Sequence, residues 1–140
     1  MVWKIPKKKL RRGIDKYGRN ELHYSSNLSD IKTLIKGGSN INLQDDNGWT
    51  PLHFYAQESN DETIKYLLEL GANPNLLDLH GNGPLWTATM NARGNYACVI
   101  LLLNAGAIPT HKNKHGRSPL DMANTIGNGL EVVFNQGAST

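Results

Sequence analysis

The chain has 140 residues, 39% of them hydrophobic and 19% charged, with a formal net charge of +3. That length is one domain's worth, and the modest apolar fraction suits a thin core shared between neighbouring units better than one deep globular core. No apolar run approaches the roughly 20 residues that span a bilayer, and the cationic start, Met1 to Lys9, has no apolar stretch behind it, so it does not read as a secretion signal.

The positive charge is unevenly placed. Lys4, Lys7, Lys8, Lys9, Arg11 and Arg12 carry six of the fifteen cationic side chains, which leaves nine against all twelve acidic residues in 13–140, a balance of −3. Residues 1–14 therefore form a basic N-terminal tail, either a partial cap built on Trp3, Ile5 and Leu10 or an unstructured start. The mildly acidic body argues against a surface that wraps nucleic acid, which needs clustered Lys and Arg. A single cysteine, Cys98, has no internal disulfide partner. Together these features predict a reducing, cytoplasmic home.

Beyond the tail one phrase returns four times, as Asp15-Lys-Tyr-Gly18, Asp45-Asp-Asn-Gly48, Asp78-Leu-His-Gly81 and Asn113-Lys-His-Gly116, each followed within four residues by a leucine: Leu22, Leu52, Leu85 and Leu120. Each is a turn: Asp or Asn bonds its own downstream backbone and Gly tolerates positive φ. In the first unit a helix is predicted over 29–36, ending at Gly37-Gly38, and the unit is three residues short. The second is the most regular. Pro51 opens a helix over 51–58, because its φ is already helical and it has no amide to orphan. Ser59-Asn60-Asp61 breaks that helix, and Ile64, Leu67 and Leu68 mark a second over 62–70, stopped by Gly71-Ala72. The third unit places its second helix over 96–104, ending at Gly106-Ala107, after two extra residues in 91–95. The fourth runs Ser118-Pro119-Leu120 through Ala123, then 130–134, and ends at Gly137-Ala138.

A period near 33 that opens with Thr50-Pro51-Leu52-His53 and closes on Gly-Ala resembles the ankyrin repeat over residues 15–138. The resemblance implies an all-α ankyrin-repeat solenoid in one domain, with helix-turn-helix repeats over about 15–44, 45–77, 78–112 and 113–138. Departures are visible. Asn20-Glu21 replaces Thr-Pro in the first repeat. Trp86 and Asp121 stand where the His belongs. Tyr55 stands where the family usually has a small Ala, so the first helix of repeat 2 must pack differently there.

Ankyrin proteins usually bind with their turn tips and the exposed end of each first helix. By position this implies Lys16, Tyr17 and Arg19; Asp46, Asn47, Trp49, Gln57 and Glu58; Leu79, His80, Asn82, Met90 and Asn91; and Lys114, His115, Arg117, Thr125 and Ile126 as partner-binding residues. Aromatic, Arg and Met side chains tend to anchor interfaces. Trp49, just after a turn Gly, has little repeat core to fill: it either meets a partner or packs sideways onto Tyr17 or Leu79. The set is cationic at both ends and acidic at Asp46 and Glu58, which either selects a partner of complementary charge or is an ordinary solvated surface.

Catalytic and metal readings fare poorly. His23 and His53 hold the family's structural His position, where the imidazole bonds turn backbone and a Thr hydroxyl such as Thr50. His111 and His115 flank Lys112 and Lys114 in a turn, where two cations repel a metal. Cys98 lies in an apolar helix with no charged neighbour to lower its pKa. No phosphate loop or nucleophile elbow occurs, and Asp45-Asp46 sits on an exposed turn. No enzyme activity, cofactor or metal is expected.

The expected function is non-enzymatic protein binding by a chain that is monomeric when free, with one protein partner. The step Gly81-Asn82-Gly83-Pro84-Leu85-Trp86, the longer loop after it and Ser118-Pro119-Leu120-Asp-Met-Ala123 look similar to small bacterial ankyrin proteins, some of which are immunity proteins. That implies a toxin or effector domain occluded by binding. The alternative is a regulatory adaptor in the nucleus or on chromatin, guided by Lys7 to Arg12; that tail also reads as a steering patch or as a solvated start. Self-association through Val132, Val133 and Phe134 is a further option.

Overall fold

The protein is described by a computed structural model over residues 13–137, so the basic segment and its proposed cap through Trp3, Ile5 and Leu10 lie outside the described residues, as does Ala138. A short 3-10 turn at Glu21–His23 is followed by α1 (Leu28–Lys36), α2 (Pro51–Gln57), α3 (Asp61–Glu69), α4 (Pro84–Met90), α5 (Ala97–Asn104), α6 (Pro119–Ile126) and α7 (Leu130–Gly137), with no strand among the described residues. The 3-10 turn, α2, α4 and α6 stack as one row, and α3, α5 and α7 as a second; repeats 2–4 each join one member of both rows, and in the first repeat the 3-10 turn packs on α1. This is the all-α solenoid that the repeated turns imply.

Local chemistry starts each helix. Pro51, Pro84 and Pro119 occupy the first helical turn of α2, α4 and α6, where a missing N–H costs nothing. Asn27 accepts the amides of Ser29 and Asp30, Asn60 that of Thr63, and Ser118 that of Asp121. The leucine of the Pro-Leu step turns inward, with Leu52 and Leu85 buried beside Ile64, Leu67, Val99 and Leu102 between the two rows.

The structure refines the sequence reading at four points. The first repeat has only the 3-10 turn where the others have a helix, since Asn20-Glu21 supplies no Pro and the unit is three residues short. Helix α6 runs on past Ala123 to Ile126 and stops at Gly127, and α7 extends beyond Phe134 to Gly137. Tyr55 is fully buried because its hydroxyl donates to the Leu22 carbonyl one repeat back. Of the three apolar residues suspected of being uncovered in the last helix, Phe134 is buried and Val132 is exposed.

The turns are built alike. One side-chain oxygen of Asp15, Asp45, Asp78 and Asn113 accepts the amides two and four residues downstream, at 2.8–3.1 Å. A backbone ladder joins each tip to the next: Asp46 N–H donates to Tyr17 O (2.8 Å), Leu79 N–H to Asn47 O (3.0 Å) and Lys114 N–H to His80 O (3.0 Å). The tips approach so closely that Gly48, at φ +81°, leaves no room for a Cβ, which would fall 2.8 Å from Asp78 Cα.

Candidate protein-binding surface

The turn Asp uses its second oxygen to lock onto the repeat before it. Arg19 Nε donates to Asp45 Oδ2 at 2.9 Å, and Trp49 Nε1 donates to Asp78 Oδ2 at 3.1 Å. At the third junction Asn113 Nδ2 donates to Asn82 Oδ1 at 3.0 Å. The residue after each turn Gly thus reaches over the head of the next turn. Arg19, Trp49 and Asn82, all expected to meet a partner, are half-buried joints of the stack. The guanidinium of Arg19 also sits 4.8–5.6 Å from the ring centres of Phe54, Tyr17 and Tyr24. Trp49 stacks on His53 (centroids 5.4 Å apart) and meets Phe54 edge-on (4.9 Å).

His53 is the centre of this joint. Its Nδ1 accepts the Thr50 amide (3.0 Å) and lies 2.9 Å from Thr50 Oγ1, while Nε2 faces the Asn82 carbonyl at 3.0 Å. An acceptor at Nδ1 and a carbonyl at Nε2 fix the neutral tautomer with its proton on Nε2. His23 repeats the pattern with Asn20 N–H and Trp49 O. Burial pushes the pKa of both imidazoles down. The structural role expected for both residues is what the geometry shows.

Eight of the eighteen expected residues come together. Asn47, Trp49, Gln57, Leu79, His80, Asn82, Met90 and Asn91 line a groove of about 450 Å³ between turns 2 and 3 and the ends of α2 and α4. Leu79 is 57% and Met90 45% exposed there, large apolar side chains set among amides. The other ten do not line it. Lys16 and Tyr17 stand on turn 1 with Arg19 behind them, Asp46 on the tip of turn 2 and Glu58 at the C-cap of α2. Lys114, His115 and Arg117 lie on turn 4, and Thr125 and Ile126 at the end of α6.

Sequence reasoning missed Asp78, Trp86 and Thr87, which also line the groove. The sequence reading took Trp86 as a replacement for the structural His and as the end of the 81–86 step, not as a contact residue. Its spacing carried the signal, since Trp86 and Met90 are four apart on α4 and share a face. Trp86 also borders a second, more apolar cavity of about 200 Å³, formed with Leu77, Ile108 and Pro119. This cavity lies where Gly83 and Trp86 stand in place of the Thr50 and His53 pair, and Leu77 in place of Gln44, whose Nε2 bridges Gly48 O and Leu77 O at the preceding junction. Cys98 is buried, which pushes its thiol up to about 11. Among the described residues no group of three or more His, Cys, Asp or Glu could hold a metal ion, and no helix is long and apolar enough to cross a membrane.

Comparison with known proteins agrees with this architecture. Residues 22–113 match the family model described as ankyrin repeats, in three copies. The chain is 30% identical over 130 residues to the transient receptor potential cation channel subfamily A member 1 of Homo sapiens, a match over 89% of this chain and 11% of that protein. The chain thus corresponds to a small part of that relative's length. Repeats of this kind are protein-binding modules built by stacking, and with the family match covering residues 22–113 the chain belongs to the ankyrin-repeat family.

Proposed function

We propose that the chain binds one protein partner in the groove between turns 2 and 3, with Leu79, Met90 and Trp86 as apolar anchors and Asn47, Gln57 and Asn91 as a hydrogen-bonding rim. The observation that carries this reading is the exposure of Leu79 and Met90 within a concave, amide-lined surface of about 450 Å³. Exposed apolar side chains ringed by polar groups mark sites of protein contact. The tip bonds and reach-over pairs hold the groove walls in place before binding, which limits the ordering cost of association.

In its narrower form the partner is a toxin or effector domain that the chain neutralises by occlusion. What supports this is the likeness of the 81–86 step, the 91–95 loop and the 118–123 segment to small bacterial ankyrin proteins, some of which are immunity proteins. The test is quantitative capture of a stoichiometric partner by the wild-type chain, L79E/M90E and the control K65E, an exposed α3 position outside the groove. L79E/M90E should lose at least about tenfold in affinity, since burying an unpaired charge in an interface core costs more than 1.4 kcal/mol. Equal capture by all three would overturn the groove assignment. If co-expressing the chain does not relieve toxicity of the captured protein, the immunity reading fails while the binding reading stands.

A further inference from the structure

Two residues before each repeat leucine stands a backbone amide, and in three of the four repeats the side chain three residues further on accepts it. Asn20 N–H donates to His23 Nδ1 at 3.1 Å, Thr50 N–H to His53 Nδ1 at 3.0 Å and Ser118 N–H to Asp121 Oδ2 at 2.9 Å. The fourth amide is that of Gly83, and the residue three further on is Trp86. An indole is a donor only, so it cannot take the acceptor's place. Gly83 N–H makes no hydrogen bond among the described residues.

Gly83 and Trp86 both border the cavity of about 200 Å³. Its other walls include Pro74, Leu77, Leu85, Ile108 and Pro119; no Asp, Glu, Lys or Arg lines it, and His111 is its one titratable side chain. Asn75, a polar part of the lining, is already engaged: it accepts Ile108 N–H at 2.9 Å and donates to Gly106 O at 3.0 Å. A Cβ on Gly83 would come no nearer than 3.7 Å to Pro74 O, Leu76 O or Leu77 Cδ2, so there is space beside the glycine. An apolar cavity of about 150 Å³ takes a benzene ring, and this one therefore has room for one or two fused rings. A charged ligand would lose its hydration here with no fixed counter-charge to meet it. The preceding junction shows what suits such an amide: a flat ring with a bare nitrogen, stacked on a tryptophan at 5.4 Å between centroids.

We propose that this cavity binds a small, neutral, flat heteroaromatic molecule whose ring nitrogen accepts the Gly83 N–H and whose face lies against Trp86. The ligand stands in for the imidazole that the third repeat lacks. The site is separate from the protein-binding groove, with Trp86 and Asn82 as common wall, and it holds whether or not a partner occupies that groove.

The test is a titration of the 140-residue chain with quinoline at pH 8, where the probe is uncharged, read by the backbone amide and indole N–H resonances in heteronuclear NMR. Quinoline should bind with a Kd below about 1 mM, ordinary for a ligand of this size, and should move the Gly83 amide and Trp86 signals most. Indole has similar apolar surface but only a donor, so it should bind at least about threefold more weakly. Trp86→His supplies an internal acceptor, and Gly83→Val fills the space beside the amide; the extended backbone there, φ −93° and ψ 178°, suits any residue. Each should weaken quinoline by about tenfold or more, with a thermal melt showing that the variant is folded; either one suffices if the other is not. L79E/M90E alters the groove and leaves the cavity lining intact, so it should bind quinoline as the wild type does. A Gly83 amide unmoved at about 10 mM quinoline, ten times the expected limit, would overturn the proposal. So would indole binding as tightly as quinoline, folded cavity variants that bind like the wild type, or loss of binding in L79E/M90E.

Discussion

Replacing His53 by Ala tests the joint that the groove depends on. His53 is fully buried, so each lost contact is felt. The Thr50 amide loses its acceptor at Nδ1, and an unsatisfied buried donor costs about 1–3 kcal/mol. The inter-repeat bond from Nε2 to the Asn82 carbonyl contributes about 1 kcal/mol more. Loss of the ring face under Trp49 removes a stacked pair worth about 0.5–1.5 kcal/mol. The sum is roughly 3–5 kcal/mol, a large part of the 5–15 kcal/mol that holds a domain folded. Urea unfolding followed by far-UV circular dichroism reads it as a shift in midpoint. His53 joins repeat 2 to turn 3, and stability in a stacked array depends on nearest-neighbour interfaces. The transition should therefore also broaden, with the first two repeats melting apart from the rest. A loss under about 1 kcal/mol with an unchanged slope would refute the account, because no reading of a buried acceptor and an inter-repeat donor is that cheap.

Other consequences follow from the same geometry. His23 and His53 are held neutral with pKa values below the ordinary 6.5, so the unfolded chain binds more protons than the folded one once pH drops below about 6.5. Stability should be full above that pH and decline as it falls toward the folded pKa values; a flat stability profile from pH 7 to pH 5 would contradict it. Gly48→Ala should cost at least about 3 kcal/mol, since a strained left-handed residue adds to a clash with the Asp78 backbone, while Gly116→Ala, with open space, should cost only the conformational strain of about 1–2 kcal/mol. Thermal melts of the two variants side by side measure the difference, and equal losses would place no neighbour against Gly48. The Cys98 thiol, buried and pushed up to about 11, should react with a thiol reagent at pH 8 no faster than the protein opens. Labelling as fast as that of a free thiol would put Cys98 on the surface.

Much of this protein is written locally in its sequence. Asp15, Asp45, Asp78 and Asn113 close their turns on amides two to four residues away, and Pro51, Pro84 and Pro119 set the first turn of their helices through a locked φ. The interactions span a few residues and need no tertiary context, so the four turns, the Pro-Leu helix starts and the structural role of His53 were all legible. The stack alone decided what links residues 26 to 31 positions apart: Arg19 on Asp45, Trp49 on Asp78 and Asn82 on Asn113. Seen alone, Trp49 looks like a partner anchor, because nothing within its own repeat shows that a neighbour's carboxylate waits above it. The groove is of the same kind. Turn tips from two repeats meet the ends of two helices there, and Trp86 joins it only because α4 is rotated to put that face beside Met90. Local propensity fixes which residues bend and which coil, whereas the pairing of one repeat with the next is settled by the distance and angle at which their buried leucines pack.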